Sequence, residues 1–215
     1  YSTRPYDEPR EPGGRGCEAS LQRLQRDTVD LVQIHEAEQA GWDGIFGKGC
    51  TLDALLEMQE QGIVKHIGLT GSDLELMRDV LRESDAFVSV ITFLKYDLLV
   101  QTAKEVLIPT ATVRDVAVIL ASPLHFGLLG SKREVWMQSG RFADLNPKLE
   151  KVEALLEDEP GDIPDLGLRY LLSDPQVSMI LTGAANTTEL ETSTAVSDGR
   201  HLSPKLIARI NAIPS

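Results

Sequence analysis

Five short apolar runs, each followed by residues with helical spacing, constrain this sequence more than any other feature. In the first run, Val29, Leu31, Val32 and Ile34 surround Asp30 and Gln33, so Thr28–Ile34 reads as a strand. Val64–Leu69, Phe87–Ile91, Val116–Ala121 and Val177–Thr182 read the same way. The Val116–Ala121 run is continuously apolar, as expected when both faces of a strand are buried. Between these runs the period changes. Leu21 and Leu24 mark a helix over Cys17–Arg26, and Leu52, Leu55 and Leu56 mark one that begins at Thr51 and stops at Gly62. Ser72 with Glu75 has the spacing of a capping box, ahead of a stripe of Leu74, Met77 and Leu81. A helix interrupted by Pro109 is expected between Leu98 and Arg114, and an irregular section follows around Trp136 and Gly140. Pro147–Glu157 forms another helix, Asp162 and Pro164 open one that ends near Ser173, a further one follows Gly183, and Ser203–Pro204 opens the last.

Strands alternating with helices imply right-handed crossovers and a parallel sheet, hence an α/β fold. Two architectures satisfy this: an open doubly wound sheet and a closed barrel. No GxGxxG follows any of the strands, which disfavours an open dinucleotide-binding sheet. A parallel (β/α)8 barrel of TIM type has eight strands and typically ~250 residues. Five strands do not close one, so the expectation is such a barrel lacking its first three strands in this chain. Residues 1–16, rich in Pro, Gly and charge, are expected to be an irregular N-terminal segment, and 17–215 the partial barrel domain.

The formal net charge of -12 argues against nucleic acid or an anionic membrane as partner. No apolar run approaches the ~20 residues of a membrane span, and no targeting presequence is evident. Cys17 and Cys50 form no CxxC, and no HExxH is present, so neither a disulfide framework nor a metal site is expected; a reducing cytoplasm suits this usage.

In a parallel barrel, chemistry sits at the C-terminal ends of the strands. His35 ends the first strand, where an imidazole either polarises a carbonyl or bonds a neighbouring loop. His125 lies in a strand-end loop and is open to either reading; His66 lies within a strand, and His201 near the tail is expected to be exposed. Gly127 and Gly183 permit close backbone approach, and a helix N-terminus after Gly183 offers N–H groups to a phosphate; ordinary turn glycine is the competing reading. Glu36 and Glu38 read as a solvated loop, and strand-end carboxylates are too few to favour a hydrolase.

Several ordered stretches together resemble the aldo-keto reductase family. They are Ser20–Leu24 running to Val29–His35, Gly62–Gly71, Ala121–Leu129, Leu168–Leu172 and Val177–Gly183. The Leu69-Thr70-Gly71 turn and the Ile34–Glu38 stretch look most like the L-galactose dehydrogenase and aldose dehydrogenase branch. The resemblance implies a barrel oxidoreductase that transfers hydride between a nicotinamide cofactor and a carbonyl or alcohol of the sugar or aldehyde class. It places the family histidine at His35, the nicotinamide contact at Thr70 with Gly71, and a further cofactor contact at Tyr96. The pyrophosphate would be held by Ser122, Leu124, Gly127, Gly183, Ala184 and Asn186.

Three departures follow from the same comparison. The family Asp and Tyr have no counterpart in this sequence, and without the Tyr acid the chain as given is expected to be inactive. Ser2-Thr3-Arg4 stands where the family has Ser-Thr-Lys, putting Arg4, a cation that does not deprotonate, at the Lys position. Thr192-Ser193 stands where an adenine-binding Glu-Asn pair is usual, and no Lys or Arg lies between Gly183 and Gly199. The last point favours NAD over NADP. The alternative is a non-catalytic regulatory or interaction subunit of the same fold.

Overall fold

The computed structural model describes residues 2–3, 14–156 and 161–213. Arg4 and most of the segment expected to be irregular lie outside them. In chain order the elements are β1 (Ser2–Thr3), α1 (Gly14–Leu24), β2 (Val29–Ile34), α2 (Ala37–Phe46), α3 (Thr51–Glu60), β3 (Val64–Gly71), α4 (Leu74–Glu83), β4 (Phe87–Phe93), α5 (Thr102–Val106), α6 (Ile108–Val113) and β5 (Ala117–Ala121). After these come α7 (Arg133–Ser139), α8 (Asn146–Leu155), α9 (Ile163–Leu172), β6 (Met179–Leu181), α10 (Thr187–Ala195) and α11 (Pro204–Asn211). This is an α/β fold in which the pairs β1–β2, β2–β3, β3–β4 and β5–β6 are parallel. Two compact units make it up, one of residues 1–92 with 105–118, the other of 93–104 with 119–215.

In the first unit the strand order is β1-β2-β3-β4. The short β1 pairs Ser2 with Gln33 and Thr3 with Ile34, so the family-like Ser-Thr does sit on a strand. The core lies between this sheet and its helices. Val32, Ile34, Ile67, Leu69 and Val90 from the strands are buried, as are Leu55 of α3 and Met77, Val80 and Leu81 of α4. Helix α4 is amphipathic as its spacing predicts, but its cap differs from expectation. Asp73, not Ser72, is the N-cap, accepting from Leu76 N at 3.0 Å. The Ser72 hydroxyl is used elsewhere: it donates to Glu38 Oε1 at 2.6 Å, and Ser72 N donates to the same carboxylate. Glu38 is therefore a tether for the end of β3 rather than part of a solvated loop. Helix α2, not expected from the sequence, carries Glu38 in its first turn and is kinked at Gly41, whose φ of 65° an L side chain rarely adopts.

In the second unit β5 and β6 pair in parallel, from Ile119 with Met179 to Ala121 with Leu181. The continuous apolar run of β5 is not buried on both faces. Val118 and Leu120 are buried, whereas Ala117, Ile119 and Ala121 are half-buried. Met179 and Leu181 of β6 are exposed. The helical stretch expected between Leu98 and Arg114 is broken at Leu107 into α5 and α6, as its proline implies: Pro109 sits in the first turn of α6, which belongs to the first unit, where its missing N–H costs nothing. The section around Trp136 is helical (α7) and ends at Gly140 in the left-handed region. Asp162 caps α9, Asn186 caps α10 and Ser203 caps α11, each through its side chain. Arg169 of α9 binds Asp165 through Nε and Asp198 through both Nη groups, at 2.8–3.1 Å. No helix among the described residues is long and apolar enough to cross a membrane.

Candidate functional site

A cavity of about 390 Å³ opens in the second unit. Its walls come from the loop after β5, the N-terminal turn of α9, the segment after β6 and one face of α10. Seven of the sequence-selected residues meet there: Ser122, Leu124, Gly127, Gly183, Ala184, Thr192 and Ser193. Gly183 has nothing within 4 Å of where a Cβ would stand, so the chain there is open to close approach. Asn186 is not a lining residue; it accepts from Glu189 N at 2.9 Å and so fixes the start of α10. Lys132 supplies a cation to the lining. Asp162, Asp165 and Glu189 also line the cavity, but each is engaged. Asp162 caps α9, Asp165 pairs with Arg169, and Glu189 accepts from Ala185 N at 2.8 Å. The Ala185 N–H, and next the Ser131 hydroxyl, hold the Glu189 carboxyl below its ordinary range, so it is ionised at neutral pH.

The loop after β5 is strained. Ser122, His125 and Phe126 have φ of 57°, 48° and 55°, and Gly127 has 86°. Left-handed conformations at non-glycine residues cost about 1 kcal/mol or more each, and the surroundings must hold them. His125 is buried, and its Nδ1 lies 2.8 Å from Asp97 Oδ2. Asp97 is itself fully buried and accepts from Leu99 N and Val100 N at 2.7 and 3.0 Å. The His125 ring packs edge-on against Phe142, Phe142 against Trp136, and Trp136 Nε1 donates back to Phe126 O at 2.9 Å. Lys148 Nζ is buried with no hydrogen-bond partner; burial lowers its pKa, and Asp97 opposes that shift.

Tyr96 does not reach the cavity. It is buried, its hydroxyl donates to Asp174 Oδ2 at 2.8 Å, and its ring stands edge-on to Tyr170 at 5.7 Å. Burial, then the adjoining Tyr170 and Asp174, push its phenol far above its ordinary value. Tyr96 thus packs the interior and is not among the residues that line this cavity.

His35, Thr70 and Gly71 belong to the first unit. Thr70 Oγ1 donates to Gln33 Oε1 at 3.3 Å, and Gln33 Nε2 donates to Ser89 Oγ at 2.9 Å, a buried chain across three strands. His35 Nδ1 is buried without a hydrogen bond, the Glu36 carboxylate approaching to 3.4 Å. His66 is exposed, as is His201.

Residues 11–214 match the model of the aldo/keto reductase family. The chain belongs to that family. Among curated relatives of this aldo/keto reductase chain, L-galactose dehydrogenase of Arabidopsis thaliana is 29% identical over 84% of the chain and 56% of its own length. NADH-specific methylglyoxal reductase of Escherichia coli is 27% identical over 77% of the chain and 53% of its own length. The chain therefore spans just over half the length of these relatives. In fold it is similar to an aldo-keto reductase of Bacillus halodurans in its holo form, with a TM-score of 0.73 and 21% identity, covering 94% of this chain and 66% of that one. Within this aldo/keto reductase sequence, the Asp97–His125 pair was not recognised from the residues alone. The two lie 28 positions apart, and the only signal was a histidine in a strand-end loop.

Proposed function

We propose that the cavity of the second unit holds a nicotinamide dinucleotide, NAD rather than NADP. The chain would then be the cofactor-binding part of an oxidoreductase that moves hydride between that cofactor and the carbonyl or alcohol carbon of a small sugar or aldehyde. A parallel (β/α)8 barrel of TIM type, lacking its first three strands in this chain, and a cytoplasmic setting belong to the same proposal. The observation that carries it is the convergence of Ser122, Gly127, Gly183, Thr192 and Ser193 on one cavity with Lys132. Exposed backbone at Gly183, hydroxyls and one cation suit a pyrophosphate, and the first turn of α10 adds N–H groups and a favourable dipole end.

Glu189 supports the choice of NAD. An ionised carboxylate in the lining disfavours a 2′-phosphate beside it, and α10 carries no Lys or Arg to pair with one. The name of the Escherichia coli relative, an NADH-specific enzyme, agrees. When bound, the nicotinamide donates or accepts the hydride. For the first unit taken by itself, the proposal gives Thr70 and Gly71 contact with a nicotinamide carboxamide and His35 the orientation of a substrate carbonyl.

Fluorescence titration of the folded, monodisperse chain with NADH and with NADPH tests the proposal. Saturable NADH binding with NADPH at least tenfold weaker is expected, and Glu189→Gln narrows that gap. No binding of either nucleotide overturns the reading and transfers weight to the regulatory subunit; tighter NADPH binding overturns the assignment of Glu189.

A further inference from the structure

We propose that the buried Asp97–His125 pair is a latch that holds the loop after β5 in its strained form, so that His125 is a positioning residue for nucleotide affinity without touching nucleotide. The inference rests on the reading of the cavity as a nucleotide site. His125 does not line the cavity, but Leu124, Phe126 and Gly127 beside it do, as do Gly130, Ser131 and Lys132 further along the same loop. That loop carries three non-glycine residues in the left-handed region within five positions. Its local hydrogen bonds run back on itself, Gly127 N to Leu124 O and Lys132 N to Gly127 O. The tie from its strained centre to the segment after β4 is the imidazole on Asp97.

Asp97 is well built for an anchor. Two backbone N–H groups fix Oδ1, which leaves Oδ2 aimed at His125, and a buried ammonium at Lys148 adds positive potential. The outer side of the loop is closed by the Phe142 and Trp136 contacts and by Arg141, whose guanidinium lies 5.2–5.8 Å from the Phe126, Trp136 and Phe142 ring centres. Releasing the imidazole frees the backbone to leave the left-handed region, and the wall formed by Leu124, Phe126 and Gly127 then loses its shape.

The test contrasts two substitutions. An asparagine at 125 places its amide N–H where Nδ1 stands and tolerates positive φ. A glutamine is closer to histidine in volume but places its amide where Nε2 stands. His125→Gln is expected to weaken NADH binding at least tenfold and to speed tryptic cleavage after Lys132 and Arg133 at least tenfold. His125→Asn is expected to stay within threefold of the parent in both. The reverse ranking, following volume, overturns the latch, as does equal behaviour of all three chains. If the parent binds no NADH, the cofactor reading fails on its own; cleavage rates without nucleotide still decide the latch, by the same ranking. Should His125→Gln not fold, proton NMR of the parent chain decides. The Nδ1 proton held by Asp97 is expected as a slowly exchanging downfield resonance, absent from His125→Asn; its absence from the parent overturns the proposal.

Discussion

Gly68→Ala is expected to lower the stability of the chain by about 2–6 kcal/mol. The cost combines overpacking, ~1–3 kcal/mol, with a buried hydrogen bond displaced, a further ~1–3 kcal/mol. Gly68 sits in β3 directly between Gln33 of β2 and Ser89 of β4 in the sheet register. A Cβ there would stand 2.4 Å from Gln33 Oε1 and 2.5 Å from Ser89 Oγ. Both side chains are buried, and the Gln33 amide bridges Ser89 and Thr70 across the strands, so neither moves without losing a partner. Urea midpoints measure the loss. Adding Gln33→Ala to Gly68→Ala should recover part of it, because the clash has gone, and the two changes are then non-additive. A Gly68→Ala chain within 0.5 kcal/mol of the parent, the ordinary range for surface changes, would mean that the interior network is not as described.

Asp97→Ala is expected to cost about 3–5 kcal/mol, the range for removing one partner of a buried charged pair. The carboxylate is fully buried and serves three donors: Leu99 N, Val100 N and His125 Nδ1. Alanine would orphan both amides and leave the imidazole and the Lys148 ammonium buried without their anion. Asp97→Asn keeps an oxygen for the two amides and should cost markedly less. Thermal melts of the two variants beside the parent give the comparison, and equal midpoints for all three would contradict it. Because Asp97 carries the fold as well as the loop, substitutions at 125 isolate the latch better than substitutions at 97.

The strand–helix alternation was legible because it depends on period alone. Val32, Ile34, Leu69, Met77 and Leu81 are buried where that period placed them. Gly62, read as a helix stop, has φ of 72° just beyond α3. Caps were legible where the polar residue had no competing partner, as at Asp162 and Ser203. Ser72 was misread because its hydroxyl serves Glu38, 34 positions earlier, and no local spacing encodes such a bond. Helix α2 escaped because Gly41 and Gly44 dilute its helical signal, and its kink depends on packing. The cavity residues after β5 and β6 were found through family-like motifs, and the structure brings seven of them together. Tyr96 came from the same source, and its burial against Tyr170 and Asp174 depended on contacts more than 70 residues apart.

Amide hydrogen exchange with and without saturating NADH tests the central claim most directly. If the second-unit cavity is the nucleotide site, exchange slows on binding in residues 122–132 and in 183–193, and changes little along α11, none of whose residues line the cavity. Saturable binding with protection confined to other segments would contradict the account.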